Sequence, residues 1–367
     1  MTKCLIPWTN LDIAPLGDIA PCCKFQTKYY EEFNIVNNNI DDYLKSDMLK
    51  SIKEEMLDDK WPKGCERCKI EEENNIKSKR QLDYIRWKDE YENYDKSKGF
   101  ITASIAFGNT CNLKCITCGP NSSSRWRKEH LDLYGVDVPP VEVLNEENYA
   151  NLYKHMPNII HLDIPGGEPF LSEVKKQKRL LRTYIDNGQS KKISVHYTTN
   201  AQLFPNDEWW ELWSHFKDID MQLSIDGIGN QYEYIRYPFQ WRKLEQNIEL
   251  LCDKMEEDRL ELMFCGVLTI YNLLNIRNLI DWIQQHNMDT VHPIQFSCIV
   301  DPHPVDSCLD VKWASKELLD IAYKNITAAL EAGDPKTETH TKRVQTYLKW
   351  CLETDFDQQK VLERRQK

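Results

Sequence analysis

No stretch of this 367-residue chain approaches the roughly twenty uninterrupted apolar residues of a membrane-spanning helix, so none is expected. The start, Met1-Thr2-Lys3-Cys4-Leu5-Ile6-Pro7, lacks the long apolar core of a secretory signal, and a cytoplasmic location is expected. Basic excess is missing as well. Against 58 Asp and Glu stand 47 Lys and Arg, a formal net charge of −11, which disfavours an extended nucleic-acid-binding face. A local basic run, Lys175-Lys176-Gln177-Lys178-Arg179, reads first as the solvated face of a helix, as do the acidic runs Glu71-Glu72-Glu73 and Glu256-Glu257-Asp258. Repeats and low-complexity linkers are absent. Without an export signal, the thirteen cysteines point to metal rather than to disulfides.

What is present is ample aromatic area, with 11 Trp, 17 Tyr and 11 Phe, in a composition 41% hydrophobic and 29% charged. That describes a globular protein with room for one large domain and a smaller one. Two blocks separate near residue 98. In the first, Cys4, Cys22, Cys23, Cys65 and Cys68 are scattered among polar and aromatic residues, and Leu44, Met48, Ile52 and Met56 recur at four-residue steps, predicting a helix over Ile40–Leu57. A second, charged helix is expected over Glu71–Tyr94.

The second block alternates apolar runs with helical patterns. Strands are expected at Ile101–Phe107, Ile159–Ile164, Ile193–Thr198, Met221–Ile225, Leu260–Ile270 and Pro293–Ile299. Helices fall between most of them, at Leu171–Asp186, Glu208–His215, Trp241–Glu256 and Leu274–His286. Such a βα order predicts an α/β fold, a partial (β/α)6 TIM-like barrel of parallel strands preceded by a small cysteine-rich α+β domain. Two helices broken near Gly333-Asp334-Pro335 are expected over Ala314–Lys349. The expected domains are 1–97, 98–303 and a helical extension at 304–367.

Three soft thiolates in the run Cys111-Asn112-Leu113-Lys114-Cys115-Ile116-Thr117-Cys118 ask for a metal cluster. A [4Fe–4S] cube has four iron corners, so three cysteines leave one iron open to a substrate or cofactor. The plain alternative is a zinc knuckle or three structural thiols. Structural zinc takes four protein ligands, and no fourth Cys or His lies nearby in sequence. In a parallel βα sheet, ligands gather at the carboxyl ends of strands. There the sequence places Pro165-Gly166-Gly167-Glu168-Pro169, then Thr199-Asn200, Ser224 with Asp226, and Thr269 near Asn272, with Arg236 twelve residues past Ser224. Taken singly, these read as a turn, turn caps and a surface Arg.

The spacing C-x3-C-x2-C, with Gly166-Gly167-Glu168 one strand later, resembles the radical S-adenosylmethionine (SAM) superfamily over residues 100 to 300. The resemblance implies that Cys111, Cys115 and Cys118 hold a [4Fe–4S] cluster whose open iron chelates SAM. It further implies that Gly166, Gly167 and Glu168 hold the SAM amino group, that Thr199, Asn200, Ser224 and Asp226 line its ribose and carboxylate, that Arg236 pairs with the SAM carboxylate or with a substrate carboxylate, and that Thr269 lies near the adenine. At the N-terminus, Cys4-x12-Gly17-x4-Cys22 with Cys65-x2-Cys68 resembles the half-sized "twitch" version of the SPASM domain, with one auxiliary [4Fe–4S] cluster on Cys4, Cys22, Cys65 and Cys68. Cys23 stands as an alternative to Cys22, and zinc as an alternative to iron–sulfur. In most relatives this module follows the barrel, whereas here it precedes it. Cys308 and Cys351 are isolated and build no second auxiliary site.

The activity this implies is reductive cleavage of SAM to a 5′-deoxyadenosyl radical that abstracts a substrate hydrogen, with two [4Fe–4S] clusters and an external one-electron donor such as flavodoxin or ferredoxin. A peptide or protein side chain is the expected substrate; a small metabolite or a nucleobase is the alternative, and a non-enzymatic zinc protein the alternative of another class. His161, His196, His292 and His303 are acid–base groups by type only. Tyr197 is placed to face a substrate, and Cys265 and Cys298 to donate hydrogen, although buried inert residues explain all three.

Overall fold

The protein is described from a computed structural model covering residues 4–30, 32–73, 77–95, 99–258, 260–285, 292–298, 309–332 and 335–354. It divides into two compact units, Met1–Asn112 with Pro120–Thr198 and Pro205–Ile219, and Leu113–Gly119 with Thr199–Phe204 and Asp220–Lys367. The expected boundaries at 98 and 304 lie outside the described residues, as do His303 and Cys308 and the side chains of His292 and Cys298.

In the first unit, a one-turn helix α1 (Ile6–Thr9) runs directly into strand β1 (Asn10–Ile13), which turns at Gly17 into the antiparallel β2 (Ile19–Ala20). The single helix expected over Ile40–Leu57 is two, α2 (Ile40–Lys45) and α3 (Asp47–Leu57). Ser46 breaks it, because its hydroxyl accepts the backbone N–H of Leu49 and caps the second helix. The expected helix over Glu71–Tyr94 is likewise divided, into α4 (Glu66–Glu73), α5 (Lys79–Arg86) and α6 (Lys88–Glu92). Then come β3 (Thr102–Ile105), α7 (Arg127–Tyr134), α8 (Glu146–Lys154), β4 (His161–Ile164), α9 (Val174–Asp186), β5 (Ser194–Thr199) and α10 (Asp207–Trp213).

The strand order in this unit is β2-β1-β3-β4-β5, with β1, β3, β4 and β5 parallel. Leu11, Ala103, Leu162 and Val195 stand in register across it, and with Ile13, Ile105, Ile164 and Tyr197 they form a buried apolar face. An aromatic cluster of Phe170, Tyr197, Trp209 and Trp213 packs there, with ring centroids 5.3 to 6.1 Å apart. Because side chains alternate along a strand, Asn10, Asp12 and their partners fall on the other face.

The second unit holds β6 (Asp218–Ser224, whose first two residues belong with the first unit), α11 (Gly229–Ile235), α12 (Trp241–Asp258), β7 (Leu260–Leu268), α13 (Ile276–Gln285), β8 (His292–Cys298), α14 (Lys316–Glu331) and α15 (Pro335–Glu353). Its strand order is β6-β7-β8, with β7 and β8 parallel. Ile276, Leu279, Ile280 and Ile283 are buried at the three- and four-residue steps of an amphipathic helix. All six strands expected in the second sequence block are present with helices between them, the α/β alternation expected of a partial (β/α)6 barrel. Among the described residues, no helix is long and apolar enough to cross a membrane.

Candidate functional site

In the first unit, β3 ends in Phe107-Gly108-Asn109-Thr110-Cys111 and β4 ends in Pro165-Gly166-Gly167-Glu168. The two strand ends are laced together. Gly167 N–H donates to the Gly108 carbonyl at 3.0 Å, Glu168 N–H to the Thr110 carbonyl at 2.8 Å, and Ser172 Oγ to the same Thr110 carbonyl at 2.9 Å. Gly166 sits at φ +149°, and a Cβ on Gly167 would lie 2.3 Å from the Thr110 oxygen. Glycine is therefore required where the turn meets the loop. Glu168 is fully buried. Asn109 is equally buried; its amide donates to the Pro120 carbonyl at 3.0 Å and its Oδ1 accepts the Val141 N–H at 3.1 Å, bracing the loop before Cys111. That role leaves no local signature in the sequence, since an Asn at a strand end looks like any turn former. Half-buried Cys111 donates its backbone N–H to Ser124 Oγ at 3.3 Å.

In the second unit, Lys114 N–H donates to the Tyr237 carbonyl at 2.7 Å and Ile116 N–H to the Ile235 carbonyl at 2.9 Å, so the loop that carries Cys115 and Cys118 is pinned against the end of α11. Cys115 is buried and Cys118 half-buried. The hydrogen bond from Cys118 lowers the Cys115 pKa, and the Arg236 guanidinium lowers it further, against the opposing effect of burial. This favours the thiolate, the form that binds metal. Arg236 is buried rather than solvated. Its Nε lies 2.9 Å from Asp226 Oδ2 and its Nη1 contacts Cys115 Sγ at 3.9 Å.

Asp226, fully buried, also accepts the Val267 N–H at 2.8 Å. Arg236 Nε and Asp226 Oδ2 thus face each other beside Cys115 as an ion pair, with no hydrogen bond to either atom among the described residues. Asn272 brackets the end of β7, donating to the Asp226 and Val267 carbonyls at 2.8 Å each and accepting the Thr269 N–H at 2.7 Å. Thr199 and Asn200 accept the N–H groups of Ala201 and Gln202, which is turn capping. Ser224 is half-buried at the end of β6.

The N-terminal cysteines gather in the first unit. Gln26 N–H donates to the Gly64 carbonyl at 3.0 Å, tying the Cys22 segment to the Cys65 segment. Burial pushes the Cys4 thiol up to about 12 and raises Cys22, Cys65 and Cys68 as well. After burial, the thiols act on one another: Cys4 feels Cys68, Cys22 feels Cys23 and then Cys4, and Cys65 feels both Cys4 and Cys68. Thiols that suppress each other's ionisation become a good ligand set once metal supplies the positive charge. Cys23, the alternative to Cys22, is exposed and lines a cavity with Lys79 and Asp12. Among the described residues, no three of His, Cys, Asp or Glu are grouped as ligands of one metal ion. The thiols of a [4Fe–4S] cluster bind separate irons and so stand wider apart than those converging on one zinc.

Several other candidates have structural roles. Tyr197 is fully buried in the aromatic cluster, its hydroxyl accepting the Trp213 indole N–H at 3.2 Å. The basic run on α9 is a paired helix face, with Lys176 on Glu142, Lys178 on Glu208 and Arg179 on Glu146. Cys265 is half-buried on β7.

A family model described as SPASM, an iron–sulfur cluster-binding domain, matches residues 4–69. No curated protein matches the chain. Among solved structures, the chain is similar to anSMEcpe with bound AdoMet and Cp18Cys peptide, at 17% identity over 64% of this chain and 62% of that one, TM-score 0.45. It is also similar to Streptococcus suis SuiB bound to S-adenosylmethionine, at 14% identity over 87% of this chain and 69% of that one, TM-score 0.43. The chain thus spans less than two thirds of the first of these structures. The matched residues, 4–69, contain Cys4, Cys22, Cys65 and Cys68.

Proposed function

We propose that the protein is a radical SAM enzyme with one auxiliary cluster. The observation that carries this reading is the lacing of Gly167 and Glu168 onto the backbone of Gly108 and Thr110, directly before Cys111. Cys111, Cys115 and Cys118 would hold a [4Fe–4S] cluster, and Cys4, Cys22, Cys65 and Cys68 a second. Gly166, Gly167 and Glu168 would receive the SAM amino group, with Ser224, Thr199, Asn200 and Thr269 toward the ribose and adenine. When bound, the first cluster and SAM together supply a 5′-deoxyadenosyl radical for hydrogen abstraction, given an electron from a flavodoxin- or ferredoxin-like donor.

The chain's own residues contribute positioning and charge. Glycine at 166 and 167 lets backbone approach where a side chain would block it. Buried Glu168 supplies a fixed acceptor. Asp226 and Arg236 are better assigned to holding Cys115 than to touching SAM, because each is already engaged. The substrate proposed is a peptide or protein side chain, supported by what SPASM and twitch relatives commonly modify; a small metabolite or nucleobase is the second reading.

Anaerobic purification with metal and sulfide analysis tests the whole assignment. About eight irons and eight sulfides per chain are expected, and SAM with dithionite should yield 5′-deoxyadenosine. Zinc without sulfide would sink it. Replacing one N-terminal ligand, Cys65→Ala, should remove the second cluster, permit uncoupled SAM cleavage and block product formation; unchanged product would contradict an obligatory second cluster.

Arg236→Gln gives a readout independent of activity. A cation near a cluster sulfur favours the more negative, reduced cluster, so its loss should lower the potential. An EPR-monitored redox titration would show the fall, and an unchanged potential would remove Arg236 from that role.

A further inference from the structure

The polar face of the first unit's sheet belongs to none of the sites above. Two rows cross β1, β3, β4 and β5 in register: Asn10, Thr102, His161 and Ser194, then Asp12, Ser104, Asp163 and His196. The opposite face of the same strands is apolar throughout these rows, as a face packed into a core must be. Eight polar residues on the other face therefore mark a surface built to meet something polar. A cavity of about 80 Å³ opens on six of them, all but Ser194 and His196, and is walled by Asp12, Asp163, Lys79, Asp83, Cys23 and Trp87. That volume holds a few waters or one small organic group.

Its charges do not balance internally. Lys79 Nζ lies 2.8 Å from Asp83 and its charge also acts on Asp12, so one ammonium is shared between two carboxylates. Arg86 is exposed and lies over the Trp87 ring at 4.7 Å. Asp12 and Asp163 remain, on strands either side of β3, with Ser104 between them. Ser104 Oγ donates to Asp163 Oδ2 at 3.0 Å, which leaves Asp163 Oδ1 buried with no hydrogen-bond donor. Burial, and then the charge of Asp163, push the Asp12 carboxyl up to about 7. A buried carboxylate oxygen without a partner is costly, and two facing carboxylates add repulsion. One cation between them would relieve both. Two carboxylates with a serine hydroxyl between them fall short of the roughly six to eight oxygens a hard metal ion takes, and they suit the N–H donors of an organic cation.

We propose that this cavity binds a primary ammonium or guanidinium group between Asp12 and Asp163. As the seat of the substrate's own basic group it rests on the radical SAM reading; as a cation site it does not. Calorimetric titration of the full-length, cluster-loaded protein under anaerobic conditions tests it, with propylammonium and methylguanidinium as probes and 1-propanol as the neutral control. Saturable binding of at least one cation is expected, tighter than that of the alcohol. Asp163→Asn should weaken it about tenfold or more, the scale of one charge-assisted hydrogen bond. Asp12→Asn, on a different strand, should weaken it too, and decides the matter should Asp163→Asn fail to fold by circular dichroism. Cation binding no tighter than propanol, or folded variants of unchanged affinity, would overturn the site. SAM cleavage is assayed separately. Carboxylate-dependent binding without cleavage keeps the cation site and removes the enzyme reading, whereas cleavage without binding removes only the cation site.

Discussion

Cys115→Ala is expected to remove about four of the roughly eight irons and to abolish formation of 5′-deoxyadenosine. Cys115 is the most buried of the three loop thiols and the one held toward its thiolate form, by Cys118 and by Arg236. A methyl in its place leaves the Arg236 guanidinium facing no acceptor on that side, and leaves the proposed cluster two ligands where it needs three. The N-terminal set should keep its metal, because Cys4, Cys22, Cys65 and Cys68 interact with one another. Iron and sulfide content with chromatographic detection of 5′-deoxyadenosine gives the answer. Retained cleavage with undiminished iron would show that the cluster site has been misassigned.

A single methyl group at Gly167 should have the next largest effect. Its Cβ would lie 2.3 Å from the Thr110 carbonyl oxygen, 2.6 Å from its carbon and 2.7 Å from the Asn109 carbonyl carbon. All three are backbone atoms, so no side chain can rotate away. The turn must part from the cysteine loop, straining the bonds from Gly167 and Glu168 to Gly108 and Thr110. Overpacking of this kind costs about 1–3 kcal/mol. At the upper end, Gly167→Ala should lower Tm by roughly 4 °C, with less iron at the loop. Gly119→Ala, where an added Cβ meets nothing within 4 Å, should leave Tm unchanged. Equal behaviour of the two variants would mean that close packing at Gly167 is not what fixes the loop.

Much of this was legible in the sequence where the pattern is local. The six strands of the second block were each long enough to show a run, and the motifs followed them in order, so β3 through β8 came out within a few residues of expectation. The pair β1 and β2 did not, since four residues and two residues carry no period. Ser46 could have been found: a Ser three residues before Leu49 is a cap signal inside an otherwise continuous stripe. Arg236 could not, because its partners Asp226 and Cys115 are 10 and 121 residues away along the chain, and proximity of that kind belongs to the fold. The same holds for the polar rows. Asp12 and Asp163 look unrelated until strand register sets both beside Ser104.

The placement of β1 has a consequence for how the chain acquires its structure. This four-residue strand pairs with β3, joined further by Thr102 Oγ1 donating to Asn10 Oδ1 across 92 residues of sequence, and it covers what would otherwise be the open edge of β3. The cysteine-rich segment is therefore stitched into the sheet and cannot be cut away as a detachable module without leaving an unpaired edge prone to intermolecular pairing. During synthesis its strand emerges first and must wait for its partner, so closing this long loop is a slow, non-local step. Metal bound early by the N-terminal thiols would shorten that wait by ordering the segment before the partner strand arrives.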